Sequence, residues 1–301
     1  MTAIATGGPV PTWKAWWLAV RPATLVASIV PVLVGVACAV RAGAIRPVAA
    51  VAALIGAMLI QVGTNLANDV FDHEKGADTA ERLGPMRVVQ AGLLLPRQVK
   101  IAMALCFSVA TLAGVALTLF AGPAVVIIGL ASIAAGIGYT AGPYPLGYHG
   151  LGDLFVFAFF GPVAVCGTAW VSSGSIPALA WWCALPIGAL ATAVLVVNNI
   201  RDRNTDVVAN KRTLAVRFGR RVALVEYGLF GAIAYFIPVL LLVLGWGARS
   251  VLLPLLTLPL WILAFRRLVR LEGRALNAVL GLTARVLAVY GVLLAVGVAL
   301  S

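Results

Sequence analysis

Asn65-Leu66-Ala67-Asn68-Asp69-Val70-Phe71-Asp72 stands at the end of an apolar run that begins near residue 47, and its polar character continues to Asp78. A second polar island, Asn198-Asn199-Ile200-Arg201-Asp202 with Asp206 beyond it, follows another long apolar run. Together they hold Asp69, Asp72, Glu74, Asp78, Asp202 and Asp206, six of the ten carboxylates in the chain. Charge beside a bilayer is expensive and is seldom placed there without a task. Oxygen-rich clusters of this spacing suit divalent cations, and divalent cations beside lipid suggest a diphosphate.

The rest of the chain makes the bilayer the expected solvent. It is 62% hydrophobic and only 11% charged, with a mean hydropathy of +1.04, too much apolar surface for a soluble domain. Runs able to cross a bilayer lie near residues 22–40, 47–65, 99–120, 123–140, 153–172, 177–197, 222–244, 250–265 and 279–300; the eighth is short, and only Gly122-Pro123 separates the third from the fourth. The expected fold is therefore an all-α integral membrane protein of about nine transmembrane helices. Residues 22–301 form one membrane domain, residues 1–21 an interfacial segment, and 65–98 and 198–221 the motif loops.

Nineteen of the 22 Lys and Arg fall on one face under this topology, leaving Arg41, Arg46 and Arg249 opposite. That count includes the five around the connection between helices 8 and 9, Arg285 among them. The positive-inside rule then makes the N-terminus and both islands cytoplasmic and the C-terminus external, in a multi-pass protein of the cell membrane. The formal charge of +12 is what this topology requires and does not call for nucleic acid. No compact apolar run with a small-residue cleavage site opens the chain, so no secretory signal is expected. Trp13, Trp16, Trp17 and Val20 recur at helical spacing beside Lys14 and Arg21, the pattern of a helix lying at the interface. Cys38, Cys106, Cys166 and Cys183 stand singly within apolar runs as packing residues, and His73 and His149 have no metal-ligand partner at i+3 or i+4.

Residues four apart share one face of an α-helix, so Asn198, Asp202 and Asp206 form a ladder, and Asn68 with Asp72 repeats its first step. Such hard oxygen ligands suit Mg²⁺, which is usually held by one or two carboxylates together with substrate phosphate oxygens. Lys75, Arg82 and Arg87 follow the first island, and Arg201, Lys211, Arg212 and Arg217 lie in or after the second, within reach of a diphosphate. Arg220, Arg221, Arg266, Arg267 and Arg270 read as topology charges. A solvated loop neutralised by its own cations would explain a surplus of charge. It would not explain Asn with Asp four residues on, occurring twice at a helix exit.

These residues resemble the UbiA superfamily of membrane prenyltransferases, and within it the branch that prenylates 1,4-dihydroxy-2-naphthoate in menaquinone synthesis. Asn68-Asp69-Val70-Phe71-Asp72-His73-Glu74-Lys75-Gly76-Ala77-Asp78, then Arg82-Leu83-Gly84-Pro85-Met86-Arg87, is similar to the first aspartate-rich motif of that branch. Asn198 through Asp206, then Lys211-Arg212-Thr213-Leu214-Ala215-Val216-Arg217, resembles the second. Tyr139-Thr140-Ala141-Gly142-Pro143-Tyr144-Pro145-Leu146 with Gly150-Leu151-Gly152-Asp153 matches the loop between them, and Arg21-Pro22-Ala23-Thr24-Leu25 with Pro31 matches the first helix. One departure is Asn210, where the family usually has Gly; Asn is the other residue that best tolerates a left-handed backbone.

The resemblance implies a helix bundle around a central cavity open to the membrane, with a polyprenyl diphosphate and an aromatic acceptor as substrates. Asn68, Asp72 and Asp78 would take one Mg²⁺ and Asn198, Asp202 and Asp206 a second, with Lys75, Arg87 and Lys211 steadying the diphosphate. Asn65, Arg201 and Tyr144 would join the substrate contacts, and Tyr139 would orient the acceptor or face the allylic cation with its ring. Tyr144 and Tyr148 also read as interfacial belt residues. Acceptors of related enzymes, 4-hydroxybenzoate, homogentisate, a chlorophyllide or a glycerol-phosphate lipid, are the nearer alternatives, and the Lys75-Gly76-Ala77-Asp78 spacing favours the naphthoate. A cation-coupled transporter would also be polytopic, but transporters usually place their sites near the midplane on broken helices, whereas these acids cluster at helix ends.

Overall fold

The computed structural model describes residues 10–76 and 82–301, so Asp78 lies outside the described residues. Every described element is helical. In a bilayer each backbone polar group must be satisfied within its own segment, which leaves helices as the solution for apolar runs of this length. Among the described residues, eight helices are long and apolar enough to cross a membrane. They are α2 (Pro22–Arg41), α3 (Pro47–Glu74), α4 (Pro96–Ala121), Gly152–Ser173, α8 (Ala178–Val208), α9 (Leu214–Val243), Arg249–Arg270 and Gly273–Ala299. A ninth apolar helix, α5 (Ala124–Gly138), has only 15 residues, about 22 Å of rise. It is cut short because Gly122, at φ +75°, and Pro123 take up the turn from α4.

Two spans are compound. Gly152–Ser173 runs as α6 (Gly152–Ala158), a π-helical turn Phe159–Val163 and α7 (Ala164–Ser173), the turn containing Pro162, which lacks the N–H a regular ladder needs. The short eighth run proves to be 22 residues long, a 3₁₀ stretch Arg249–Thr257 leading into α10 (Leu258–Arg270). The last span ends in α11 (Leu276–Ala299). Short α1 (Thr12–Val20) buries Ala15 and Ala19 beside Leu66 and Val70 of α3, while Trp13 and Trp17 stay exposed. Arg21, at φ +53°, makes the corner into α2.

Small residues let the helices approach closely. A Cβ on Gly161 would lie 2.8 Å from the Ala184 carbonyl, and one on Gly188 would lie 2.7 Å from that of Phe157, so the π-turn and α8 touch backbone to backbone. The main core gathers α2, α7, α8, α9 and α11 around residues such as Val34, Ile187, Leu190, Tyr227 and Leu287. Cys38, Cys166 and Cys183, isolated in sequence, meet in this core.

Two departures from the sequence expectation and one agreement with it bear on the site. Helices α3 and α8 run beyond their apolar segments to Glu74 and Val208, so both islands ride on helix rather than loop. Asn210 does adopt the left-handed backbone, at φ +58°. Arg285, counted among loop cations, lies inside α11.

Candidate active site

The C-terminal ends of α3 and α8 meet at one end of the bundle. Asp72 Oδ1 accepts a hydrogen bond from Lys211 Nζ at 3.2 Å, joining islands 139 residues apart in sequence. Arg87 Nη2 donates to Asp72 Oδ2 at 2.9 Å, and the Tyr148 hydroxyl to Oδ1 at 2.9 Å. Asp72 is 2% exposed, so two cations and a phenol hold its charge away from water.

Arg87 is delivered by Asp69, which sequence reasoning left without a role. Asp69 is one residue off the Asn68–Asp72 face and turns toward the following segment instead. Its carboxylate accepts the backbone N–H groups of Val88 and Val89 at 3.2 and 3.1 Å, folding that segment back on α3 beside buried Leu66 and Val70. The neighbouring Arg87 then meets Asp72. The sequence signal was available in the face argument itself, since a carboxylate off the ladder needs another partner.

On α8, Arg201 is 3% exposed and its guanidinium serves its own island. Nε donates to Asp202 at 2.8 Å, Nη2 to Asn198 Oδ1 at 2.6 Å, and Nη1 to Asn277 Oδ1 of α11 at 2.8 Å. Asn277 in turn donates to the Leu83 carbonyl at 2.9 Å, tying the segment after the first island to the second. Asp206 is buried and lines the cavity; its carbonyl accepts the Lys211 N–H at 2.8 Å, and its carboxylate has no hydrogen bond or ion pair among the described residues.

Not every expected residue reaches the cavity. Asn65 lines it, but its amide donates to the Val20 carbonyl at 2.9 Å and Thr24 Oγ1 at 2.8 Å, bracing α3 against α1 and α2. Asn68 Oδ1 accepts from Thr140 Oγ1 at 3.0 Å. Lys75 lies outside the cavity wall and donates to the Thr140 carbonyl at 2.6 Å. Desolvation holds its ammonium below the usual lysine value; Asp72 opposes that fall and Lys211 adds to it. Tyr144 is 58% exposed, stacked on His149 at 3.6 Å, and does not line the cavity. The tyrosine that reaches the islands is Tyr148, whose ring lies 5.0 Å from Lys75 Nζ and 4.7 Å from Lys211 Nζ. The ring of Tyr139 lines the cavity and is clamped by two glycines: a Cβ on Gly147 would lie 2.8 Å from the ring, and one on Gly152 would lie 2.9 Å from the hydroxyl. Arg220, read in the sequence as a topology charge, donates to the carbonyls of Leu268 and Leu271 at the end of α10 and pairs with exposed Glu272.

The islands cap a cavity of about 810 Å³, within the range of small-molecule sites. Its mouth carries Asp72, Arg87, Asp202, Asp206 and Lys211; its depth is walled by Leu117, Val125, Ile128, Phe159, Trp170 and Val171. The cavity is thus charged and polar at its mouth and apolar in its depth. The donors at the mouth are carboxylate and amide oxygens, the hard set that suits Mg²⁺. Among the described residues no three His, Cys, Asp or Glu side chains converge as a finished cage.

The described helices thus form a bundle of apolar spans with a polar, oxygen-rich mouth over an apolar chamber. The model of the UbiA prenyltransferase family matches residues 28–286, and the chain belongs to that family and is a transferase. It is 39% identical over 232 residues to the 1,4-dihydroxy-2-naphthoate octaprenyltransferase of Mycobacterium tuberculosis (strain ATCC 25618 / H37Rv), covering 77% of this chain and 79% of that one. The enzyme of the same name from Escherichia coli (strain K12) is 41% identical over 213 residues, covering 68% and 69%. Among solved structures, a UbiA homologue from Archaeoglobus fulgidus bound to GPP and Mg²⁺ superposes with a TM-score of 0.64 at 15% identity, over 93% of this chain and 99% of that one.

Proposed function

We propose that this protein transfers a polyprenyl group from a polyprenyl diphosphate to 1,4-dihydroxy-2-naphthoate, a step of menaquinone biosynthesis. The observation that carries the reading is the Lys211–Asp72 contact, which closes the two islands over one apolar chamber. The names of the relatives supply the acceptor. Asn68, Asp72 and Asp78 on one side, and Asn198, Asp202 and Asp206 on the other, would hold two Mg²⁺ ions. When bound, these ions supply Lewis-acid neutralisation of the departing diphosphate.

The chain's own residues do the rest. Arg87 and Lys211 present positive charge at the mouth, where negative charge grows on the leaving oxygen as the C–O bond breaks. The apolar wall excludes water from the allylic cation. The Tyr139 ring, fixed by Gly147 and Gly152, orients the aromatic acceptor. The ring carbon bearing the carboxylate forms the new C–C bond; CO₂ then leaves, and the electron pair of its bond restores the aromatic ring. The products are diphosphate, CO₂ and demethylmenaquinol, the reduced form of demethylmenaquinone. The island end of the bundle faces the cytoplasm in this reading, because it carries the excess of Lys and Arg.

The test is an acceptor panel. Purified protein with Mg²⁺ and a polyprenyl diphosphate is expected to prenylate 1,4-dihydroxy-2-naphthoate, with a product mass showing loss of CO₂, in preference to 4-hydroxybenzoate, homogentisate and a glycerol-phosphate lipid. Preference for any of the others would replace the acceptor assigned here.

The two lysines are expected to separate. Lys211 bonds Asp72 at the mouth, whereas Lys75 is turned to the Thr140 carbonyl. Lys211→Gln should lower kcat by about 30-fold or more and raise the donor KM, as for a charge-assisted contact strengthened in the transition state. Lys75→Gln should cost no more than about fivefold, the scale of a net neutral hydrogen bond. Equal losses in steady-state assays would return Lys75 to the diphosphate site.

A further inference from the structure

Arg285 sits nine residues into α11 (285 − 276) and fourteen before its end (299 − 285), near the middle of a span of mean hydropathy 2.1. An arginine at that depth is costly and is retained where it meets a partner or a substrate. Among the described residues it has no hydrogen bond, ion pair or ring contact, yet it is exposed and lines the cavity. Its neighbour Val286 is fully buried in the core, so the helix is held in register and the guanidinium is not free to turn inward.

Side chains on a helix lean toward its N-terminus, over the preceding turn. For α11 that direction is the island end, because Asn277 in its first turn bonds Arg201. The residue one turn back is Gly281, which also lines the cavity, and nothing lies within 4 Å of where its Cβ would be. A glycine inside a helix is disfavoured relative to alanine, and no neighbouring helix crowds this one. The guanidinium is therefore aimed along an open strip of cavity wall toward the diphosphate end.

A planar guanidinium fork matches a carboxylate with two parallel hydrogen bonds. The diphosphate already has Arg87 and Lys211 at the mouth, the prenyl tail has no charge, and ring hydroxyls need no full cation. Resting on the function proposed above, we infer that Arg285 receives the carboxylate of the aromatic acceptor, with the ring lying against the open strip at Gly281. An anionic lipid headgroup offers related chemistry, and the test separates the two.

The full chain in phosphatidylcholine nanodiscs is titrated with 1-hydroxy-2-naphthoate and with 1-naphthol, which lacks the carboxylate. The wild type is expected to bind the naphthoate about tenfold or more tighter, the worth of a charge-assisted pair. Arg285→Gln should bind the two within about twofold of each other, Arg285→Lys should retain part of the preference, and the polyprenyl diphosphate KM should be unchanged in both. A preference that survives in Arg285→Gln, or is absent from the wild type, overturns the inference. So does a variant that keeps the preference while losing thermal stabilisation by phosphatidylglycerol, which would give Arg285 to a lipid. Failure of the wild type to prenylate any naphthoate would instead remove the underlying function, and is read separately in the acceptor panel.

Discussion

Asp72→Asn is expected to lower prenyl transfer by about a thousandfold or more while leaving the protein folded. The loss corresponds to several kcal/mol of transition-state stabilisation, the scale of a charge-neutralising metal ligand. Asparagine keeps the shape and one acceptor oxygen for Tyr148, so packing at this 2% exposed position is preserved. It removes the negative charge that Arg87 and Lys211 share. Those cations are then free to grip the diphosphate of the ground state, so kcat should fall far more than KM rises. Glu272→Ala is the control: Glu272 is 81% exposed and pairs with Arg220 at the surface, and such pairs contribute little. Steady-state kinetics on both variants, with a melting curve in detergent, checks the prediction. Similar losses in the two would mean that overall charge balance, not a ligand site, is being disturbed.

Removing divalent cations should abolish transfer, and adding Mg²⁺ should restore it. The structure adds a second expectation, that chelation will not unfold the protein. Asp72 is neutralised by Arg87 and Lys211, and Asp202 by Arg201, before any ion arrives. Stability gained from a bound metal follows mass action, so the melting temperature should rise as Mg²⁺ is added without collapsing in its absence. Turnover in EDTA with activity equal to that in Mg²⁺ would end the proposed mechanism. Collapse of the fold in EDTA would show that the Lys and Arg partners do not balance the islands.

The i, i+4 spacing of Asn198, Asp202 and Asp206 was readable because a helix repeats its faces at fixed intervals. The same rule placed Asn68 beside Asp72. Tyr148 and Tyr144 could not be ranked in this way, since both lie between α5 and α6 where no α-helical period applies. The chain path there turns Tyr148 onto Asp72 and Tyr144 onto His149. Asn277 was equally hidden: a single amide at the start of an apolar run has meaning only once α11 is packed beside α8 and Arg201 reaches it.

The sequence by itself determined the membrane class, the order of the spans, the charge asymmetry of the bundle and the two oxygen-rich ladders. Each of these is a property of composition or of local periodicity, which lipid solvation and helix geometry translate directly. Tertiary structure alone decided that the ladders face one another, that Asp69 holds the segment of Val88 and Val89, and that Arg285 lines the cavity from within a span. Those facts depend on contacts between residues as far apart as Lys211 and Asp72, and pairings across such distances are set by how helices pack, through small residues such as Gly161 and Gly188.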